Sequence, residues 1–470
     1  MLSLIAAAGC GSGNVVLPNP TGNYSLASLS GSYVYQIHGT SNLGPYREVG
    51  VFTADGAGHI NGGSDDFAVG GLFSNSITGT YTVAGDGTGF LTISPTALGS
   101  ITFAITLTNS SKLYLMEAGI LADGAGVAEL QSSASTAPSG TFVFRLHEIA
   151  ASSGQSSVSE VGAMTITGGA VTGSLDQNLG GTSSQLTVAS GTFNAPSALG
   201  RGLASFTDNT SAVTSLIYYV VNSGKVALLV SNAGAVESGS AEAQTGAVGN
   251  GLSGSYAFGS RGDFGNFYDA AGTVGQFAAS GGSISAYVND AMQLGSYSNA
   301  SYTGSYTTQP SGRVAVSLNS GAIQEVFWMV SPSRAFFMVS DPSRVEDGTA
   351  DLQTVGSFSA ATIKGQYAIV MDGIDLSPEI LARIGTAQFD GSSKLSVNEL
   401  VNASNTGFGA TSPGGLGGTY TVASNGRATG TLSGATGSLT LVMYAISGSD
   451  AYALQVDGGT NTSGTIELQH

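Results

Sequence analysis

The sequence is poor in charge, and positive charge is the scarcer kind. Thirteen Lys and Arg stand against thirty Asp and Glu in 470 residues, so the formal net charge is −17. Nucleic-acid binding depends on neutralising phosphates with Lys and Arg, which excludes nucleic acid as a partner. Only 9% of the residues are charged while 41% are hydrophobic. That balance excludes a disordered polymer and leaves enough apolar surface for cores.

Cysteine and long apolar runs are also scarce. Cys10 is the single cysteine, so no disulfide within the chain is possible. No later stretch reaches the roughly 20 apolar residues that a membrane-spanning helix needs. We therefore expect the chain to be anchored to a membrane rather than threaded through it, if it contacts one.

The N-terminal residues are similar to a targeting signal. Cys10 follows Ala7, Ala8 and Gly9, and this run of small residues before a Cys resembles the lipobox of bacterial lipoproteins. The resemblance implies a signal over 1–10 with lipid on Cys10, and Gly11 implies the outer membrane at the cell surface. Residues 11–26, rich in Gly, Asn, Pro and Ser, are typical of a flexible tether. The alternative is an incidental thiol in a disordered N-terminus.

The rest of the chain repeats itself four times. A Gly-polar-aromatic triplet recurs at a spacing of about 110 residues, starting at Gly31, Gly140, Gly254 and Gly365. A second such triplet follows half a period later, starting at Gly79, Gly191, Gly304 and Gly418. Each copy ends on acid-x-Gln, with the glutamine at Gln131, Gln244, Gln353 and Gln469. The pattern predicts four modules over 27–135, 136–247, 248–357 and 358–470.

Each module is predicted to be all-β. Apolar and polar residues alternate with period two, as in Ile101–Leu107, which is typical of half-buried strands. Turn pairs such as Asp86-Gly87 and Asn425-Gly426 separate these runs and favour hairpins. About eight short antiparallel strands in a meander predict an up-and-down barrel. A two-sheet β-sandwich is the alternative.

The opening triplet also carries a weak resemblance. Gly-x-aromatic at Gly31-Ser32-Tyr33 resembles the Gly-x-Trp of lipocalins, and the meander resembles avidin. The resemblance implies topology only, and no ligand residue is carried over from those families.

Constellations for catalysis or metal binding are missing from the sequence. It contains no H-E-x-x-H, no G-x-S-x-G and no phosphate-binding loop, so we expect no catalytic residues, no enzymatic activity and no cofactor. His38 and His147 stand near the end of the first strand in two copies, with Ser260 and Asp372 nearby in the others. We interpret them as polar strand-end residues that satisfy local hydrogen bonds rather than as ligands.

Acidic or amide pairs recur at the end of the third strand. In module 1 a loop over 68–76 is expected to follow the pair and a second loop over 39–47 to join the first two strands. Both loops would lie at an open end. The candidate ligand-binding residues there are Asp65, Asp66, Asp176, Asp290, Asn398 and Glu399. Their oxygens could bind a glycan hydroxyl or a cation such as Ca²⁺, which leaves the metal undecided. The preferred interpretation is that Asp and Asn simply start loops.

Basic residues recur at the opposite, closed end. Arg201, Arg313 and Arg427 follow one hairpin turn, and Lys112, Lys225 and Arg334 follow another. They could form ion pairs with the acidic end of the preceding module. Exposed pairs contribute only about 0–1 kcal/mol, so ordinary solvation is the preferred interpretation.

Two functions remain from different classes. The first is a non-enzymatic surface lipoprotein whose modules bind a glycan, a small ligand or a partner protein. The second is a structural spacer or adhesive coat component. An enzyme is a distant third possibility.

Overall fold

The computed structural model describes residues 23–41, 43–69, 71–96, 99–119, 122–148, 156–264, 267–340, 342, 344–375, 380–403, 409–435 and 437–470. Cys10, the predicted signal and most of the predicted tether lie outside these ranges. Within them, no helix has both the length and the apolar character that crossing a bilayer requires.

Thirty-two strands account for almost all the regular structure of the described residues. Module 1 contains β1 Ser30–Ser41, β2 Gly44–Asp55, β3 His59–Ala68, β4 Leu72–Val83, β5 Thr88–Pro95, β6 Ile101–Asn109, β7 Lys112–Glu117 and β8 Ala122–Leu130. Module 2 contains β9 Gly140–Glu148, β10 Val158–Thr167, β11 Ala170–Leu179, β12 Thr182–Phe193, β13 Arg201–Asp208, β14 Val213–Asn222, β15 Lys225–Val230 and β16 Glu237–Ala243.

Modules 3 and 4 follow the same order. Module 3 contains β17 Gly254–Phe264, β18 Phe267–Ser280, β19 Ser283–Gln293, β20 Ser296–Thr308, β21 Arg313–Leu318, β22 Ile323–Ser331, β23 Arg334–Val339 and β24 Arg344–Leu352. Module 4 contains β25 Lys364–Asp375, β26 Ile380–Asp390, β27 Lys394–Ala403, β28 Leu416–Val422, β29 Arg427–Gly434, β30 Gly437–Ala445, β31 Asp450–Gln455 and β32 Thr460–Leu468. Short 3₁₀ turns lie at Leu26–Ser28, Val248–Asn250, Asn319–Gly321 and Ala360–Thr362.

Each module closes into an eight-stranded antiparallel barrel, which confirms the predicted fold, and the β-sandwich alternative is wrong. Neighbouring strands pair in chain order, and the first strand of each module pairs with its eighth. A glycine on every eighth strand permits this closure. A Cβ at Gly126 would lie 1.9 Å from the backbone oxygen of Gln36 on β1. Gly239, Gly348 and Gly464 occupy the same register position in the other barrels.

The barrel interiors are filled by side chains. In barrel 1 the rings of Tyr33 and Phe52 stack with centroids 5.5 Å apart, inside an apolar cluster that reaches from Leu29 to Ala128. The other three barrels hold equivalent clusters. The described side chains therefore pack each barrel through its middle and leave no lumen between them for a large ligand.

Two loops predicted for module 1 are wrong. β1 continues through Gly39 to Ser41 and β2 already begins at Gly44, so the expected loop over 39–47 is a tight hairpin. β3 continues to Ala68 and β4 begins at Leu72, which shortens the expected loop over 68–76. The residues of β1 beyond His38 also pair with β8, and pairing on both sides overrides their weak strand propensity.

The four barrels close into a ring. The outer face of the first two or three strands of each barrel packs on the sixth and seventh strands of the next barrel. We call these contacts seams. In seam 1–2, Val34 and Val49 pack against Tyr219 and Leu229. Seams 2–3 and 3–4 repeat the arrangement, and seam 4–1 returns to barrel 1 through Ala368 and Ile384. The ring thus has approximate fourfold rotational symmetry.

The glutamine of every acid-x-Gln signature crosses a seam. The Gln131 side chain donates to the carbonyl oxygens of Leu199 and Val220 in barrel 2, at 3.0 and 2.8 Å. Gln244 and Gln353 do the same in the next two seams. Gln469 closes the ring by donating to Asp86 and Leu107 of barrel 1.

The acids of the signature also cross the seams. Glu129 pairs with Lys225 at 2.5 Å, Glu242 with Arg334 at 2.9 Å, and Glu467 with Lys112. The preference for simple solvation of these basic residues is therefore wrong. They pair with the acidic end of the preceding barrel, and ring closure makes module 4 the neighbour that precedes module 1.

Candidate functional site

The most regular polar feature of the ring is an anchor of Asp, Arg and an aromatic residue. Asp66 on β3 accepts two hydrogen bonds from Arg201 of barrel 2, at 2.7 and 2.8 Å, and one from the Tyr219 hydroxyl at 2.5 Å. The same set recurs as Asp176, Arg313 and Trp328, and as Asp290, Arg427 and Tyr444. Three of the predicted ligand residues are thus buried in seams 1–2, 2–3 and 3–4.

The other predicted ligand residues occupy different places. Asp65 lies inside barrel 1, where it accepts a hydrogen bond from Tyr35 at 3.0 Å and where burial raises its pKa to about 6. Glu399 lies inside barrel 4 and pairs with Arg383 at 2.6 Å. Asn398 is exposed on β27 and lines a cavity at seam 4–1. Asn398 faces seam 4–1 rather than the end of a barrel, so the expectation that these side chains project from open ends is wrong for all six.

A cavity of about 330 Å³ lies where the four barrels meet, and residues of all four line it. We call it the central cavity. The first strand of every barrel contributes the residue seven positions after its opening glycine: His38, His147, Arg261 and Asp372. His38 is paired within β1 to Arg47 on β2 and Ala125 on β8, and β1 continues beyond it to Ser41.

One side of the central cavity is an ion network around Asp372. Its Oδ2 lies 2.8 Å from Nε2 of His38, and its Oδ1 accepts from Arg261 at 2.6 Å. Burial would raise the pKa of Asp372, but Arg261 and His38 outweigh burial and hold that pKa below its ordinary value. Burial and then Arg261 lower the pKa of His38, which favours the neutral imidazole.

The other side of the cavity is organised around Asp347 of barrel 3. It accepts from Nδ1 of His147 at 2.5 Å and from Ser159 at 3.1 Å, and Arg145 pairs with it at 3.2 Å. Burial would lower the pKa of His147, but Asp347 outweighs burial and raises it. Nε2 of His147 is buried and has no hydrogen-bond partner among the described residues. No described hydroxyl therefore stands ready as a nucleophile on this imidazole.

The central cavity concentrates the scarce positive charge. Arg47, Arg145 and Arg261 all line it, out of nine arginines in the sequence. Two aspartates and two histidines accompany them. No group of three or more His, Cys, Asp or Glu among the described residues has metal-binding geometry. Such a cavity can hold a small anion by hydrogen bonds from guanidinium and imidazolium groups.

Sequence reasoning missed this cavity because its residues come from four separate copies. The one available signal was the shared register: counting from each opening glycine aligns the two histidines with Arg261, not with Ser260. Four different polar residues at one repeated strand position indicate a shared special environment. The four residues differ because the ring brings them into one cavity, where they pair with one another or with residues of a different barrel.

The fold and its cavity define a class, a ring of four antiparallel barrels around a common cavity. No family model matches the chain, and no curated protein matches it. Among solved structures, a double mutant of the vaccine antigen transferrin binding protein B from Haemophilus parasuis is similar at 11% identity, over 76% of this chain and 82% of that one, with a TM-score of 0.17. CghA is similar at 10% identity, over 93% of this chain and 88% of that one, with a TM-score of 0.16. Scores this low carry no argument.

Proposed function

We propose that the protein is a non-enzymatic binding protein that holds a small anionic ligand in the central cavity. The observation that carries the proposal is Nε2 of His147, which is buried and has no hydrogen-bond partner among the described residues, on a side chain that lines a cavity together with three arginines. Asp347 raises the pKa of His147, so a protonated imidazole has a donor to offer to a ligand acceptor. A volume of about 330 Å³ falls at the lower end for small-molecule sites.

Calorimetric titration with succinate, citrate and inorganic phosphate tests this proposal, with uncharged succinamide as the counterpart. We expect at least one anion to bind below pH 6, to bind more weakly as the pH rises through the pKa of His147, and to raise the melting temperature by mass action. His147→Gln should weaken binding. His59→Gln, at an exposed histidine of barrel 1, should leave it unchanged. Equal binding by both variants, or none by wild type, would contradict the proposal.

We further propose that the ring is displayed at the outer surface of a bacterial cell by lipid on Cys10. The lipobox resemblance supports this location. Metabolic labelling with palmitate tests it, because Cys10→Ser should abolish the label while leaving the ring folded. Equal palmitate labelling of wild type and the Cys10→Ser variant would contradict the proposed lipid anchor.

A rigid spacer or coat component is the second candidate. It is favoured by the closed seams, since every barrel is locked to two neighbours by apolar and charged contacts. Sedimentation of the protein without its lipid distinguishes the candidates. Ordered self-association without any response to anions supports a coat, whereas a monomer that binds an anion supports the ligand-binding role.

A further inference from the structure

The seam between barrels 4 and 1 departs from the other three. Strand register places Thr88 and Thr106 of barrel 1 where the other seams have the anchor's arginine and aromatic residue. Leu400 of barrel 4 stands where they have the aspartate, opposite Ile384 as Asp66 stands opposite Val49. All three members of the anchor are therefore replaced together at a single seam.

These replacements leave a space. Two threonines and a leucine fill much less volume than an arginine, a large aromatic residue and an aspartate. A cavity of about 490 Å³ lies at this seam, and we call it the seam cavity. It is lined from barrel 1 by the end of β4, the turn that follows it, β5 and β6, and from barrel 4 by β26, β27 and the segment 412–415.

The lining of the seam cavity combines hydroxyls, an amide and one exposed aromatic ring. Thr106 is buried, and its Oγ1 has no hydrogen-bond partner among the described residues. Asn398 and Ser412 add further polar groups. Phe90 also lines the cavity and keeps 44% of its surface exposed.

Charge narrows the class of ligand. Among the described residues that line the seam cavity, the ionisable ones are Asp86 and Glu399, and none is basic. The Glu399 carboxylate points into barrel 4, where Arg383 pairs with it, so no described lining residue offers an anion a positive charge. A neutral saccharide suits this lining, since the apolar C–H face of a sugar ring can pack on Phe90 while its hydroxyls bond to Thr106 and Asn398.

We propose that the seam cavity is a binding site for neutral saccharides. It shares no described lining residue with the central cavity. Binding at one site can therefore be tested separately from binding at the other. The site exists in one copy because only seam 4–1 lacks the anchor that fills the equivalent space elsewhere.

The experiment is calorimetric titration of the full chain with maltose, cellobiose and N,N′-diacetylchitobiose, with glucuronate and glucosamine as charged counterparts. We expect at least one neutral disaccharide to bind, and Phe90→Ala to weaken it about tenfold through loss of stacking. Thr106→Val should also weaken it, since Val has nearly the same shape but no hydroxyl. Leu203→Ala, at the equivalent exposed position of barrel 2, should not change it.

A variant in which larger side chains fill the seam cavity gives a second test that does not depend on removing side chains. We call it the filled variant. Thr88→Arg, Thr106→Tyr and Leu400→Asp together rebuild the anchor found in the other seams. This variant should lose saccharide binding, retain anion binding at the central cavity and melt at a higher temperature. Absence of binding by all three neutral disaccharides, or saccharide binding that survives in the filled variant, would overturn the proposal.

Discussion

At the residue scale, barrel 1 contains buried carboxylates whose ionisation lowers the free energy of unfolding. Burial raises the pKa of Glu117 to about 8 and, with Asp65 and Glu117 adding to it, raises that of Glu48 well above its ordinary value. An acid with a raised folded-state pKa binds its proton more tightly in the folded state than in the unfolded chain. Stability therefore falls as the pH rises from the unfolded pKa to the folded one.

Glu117→Gln should make the protein more stable at pH 8 and leave it nearly unchanged at pH 4.5. In wild type, Glu117 reduces the free energy of unfolding by up to about 1.4 kcal/mol for each pH unit between those values, and an uncharged amide removes that dependence. Urea unfolding at both pH values measures the effect.

Glu129→Gln supplies a control of opposite sign. Burial would raise the pKa of Glu129, but Lys225 outweighs burial and lowers it. Its stabilising contribution is therefore present above the unfolded pKa and lost as the pH falls. This variant should be less stable than wild type at pH 8 and converge with it in acid. Parallel pH profiles for the two variants would contradict the assignment of both groups.

Arg201→Thr should destabilise the protein by about 3–5 kcal/mol, because it leaves the Asp66 carboxylate buried and unpaired. Asp66 is fully buried, and its other described side-chain partners, Ser74 and Tyr219, are uncharged hydroxyls. Adding Asp66→Leu should restore most of the loss, since the pair then matches Thr88 and Leu400 of seam 4–1. Denaturant unfolding of the two single variants and the double variant measures the coupling, and additive losses would contradict it.

At the element scale, strands and hairpins were predictable because each follows from local chemistry. Period-two alternation marked the barrel interiors, and Gly with Asp or Asn marked the turns. The prediction of half-buried strands was wrong for those strands whose outer face is also buried, in a seam. The sixth strands contain unbroken apolar runs, such as Leu216–Val221 and Val326–Val330, and such runs indicate burial on two sides. These apolar runs predict that the outer face of the sixth strand is covered, but they do not predict which barrel covers that face.

The glutamine that follows the last strand of each module donates hydrogen bonds across a seam. Removing its amide group should weaken that seam. Gln469→Leu removes the amide that donates to the carbonyl oxygens of Asp86 and Leu107 in barrel 1, although Gln366 still donates to that of Asp86, and we expect a loss of about 1–3 kcal/mol. Gln324→Leu is the matched control, because that amide bonds only within its own barrel at an exposed site. Its effect should stay within about 0.5 kcal/mol. Thermal unfolding compares the two, and equal losses would show that Gln469 does not clasp a seam.

At the scale of the whole molecule, the candidate sites were not predictable from one module alone. The central cavity requires strand positions from four copies, and the seam cavity requires that one seam differ from three others. The acidic pairs were visible in the sequence, but their partners are basic residues roughly 135 positions away in the next copy. Packing of barrels 1, 2 and 3 on their following neighbours makes three of the predicted ligand residues, Asp66, Asp176 and Asp290, into structural anchors.

Closure also makes a prediction about cooperativity. Each barrel shares two seams, and the apolar surface buried there would be exposed if any one barrel unfolded. We therefore expect a single calorimetric unfolding transition for the whole ring, with calorimetric and van't Hoff enthalpies that agree. Val161→Asp places a charge in the apolar cluster of seam 2–3 and should lower the temperature of the entire transition. Four modules folding independently would instead give a broad composite, from which this variant would shift only the part that belongs to barrels 2 and 3.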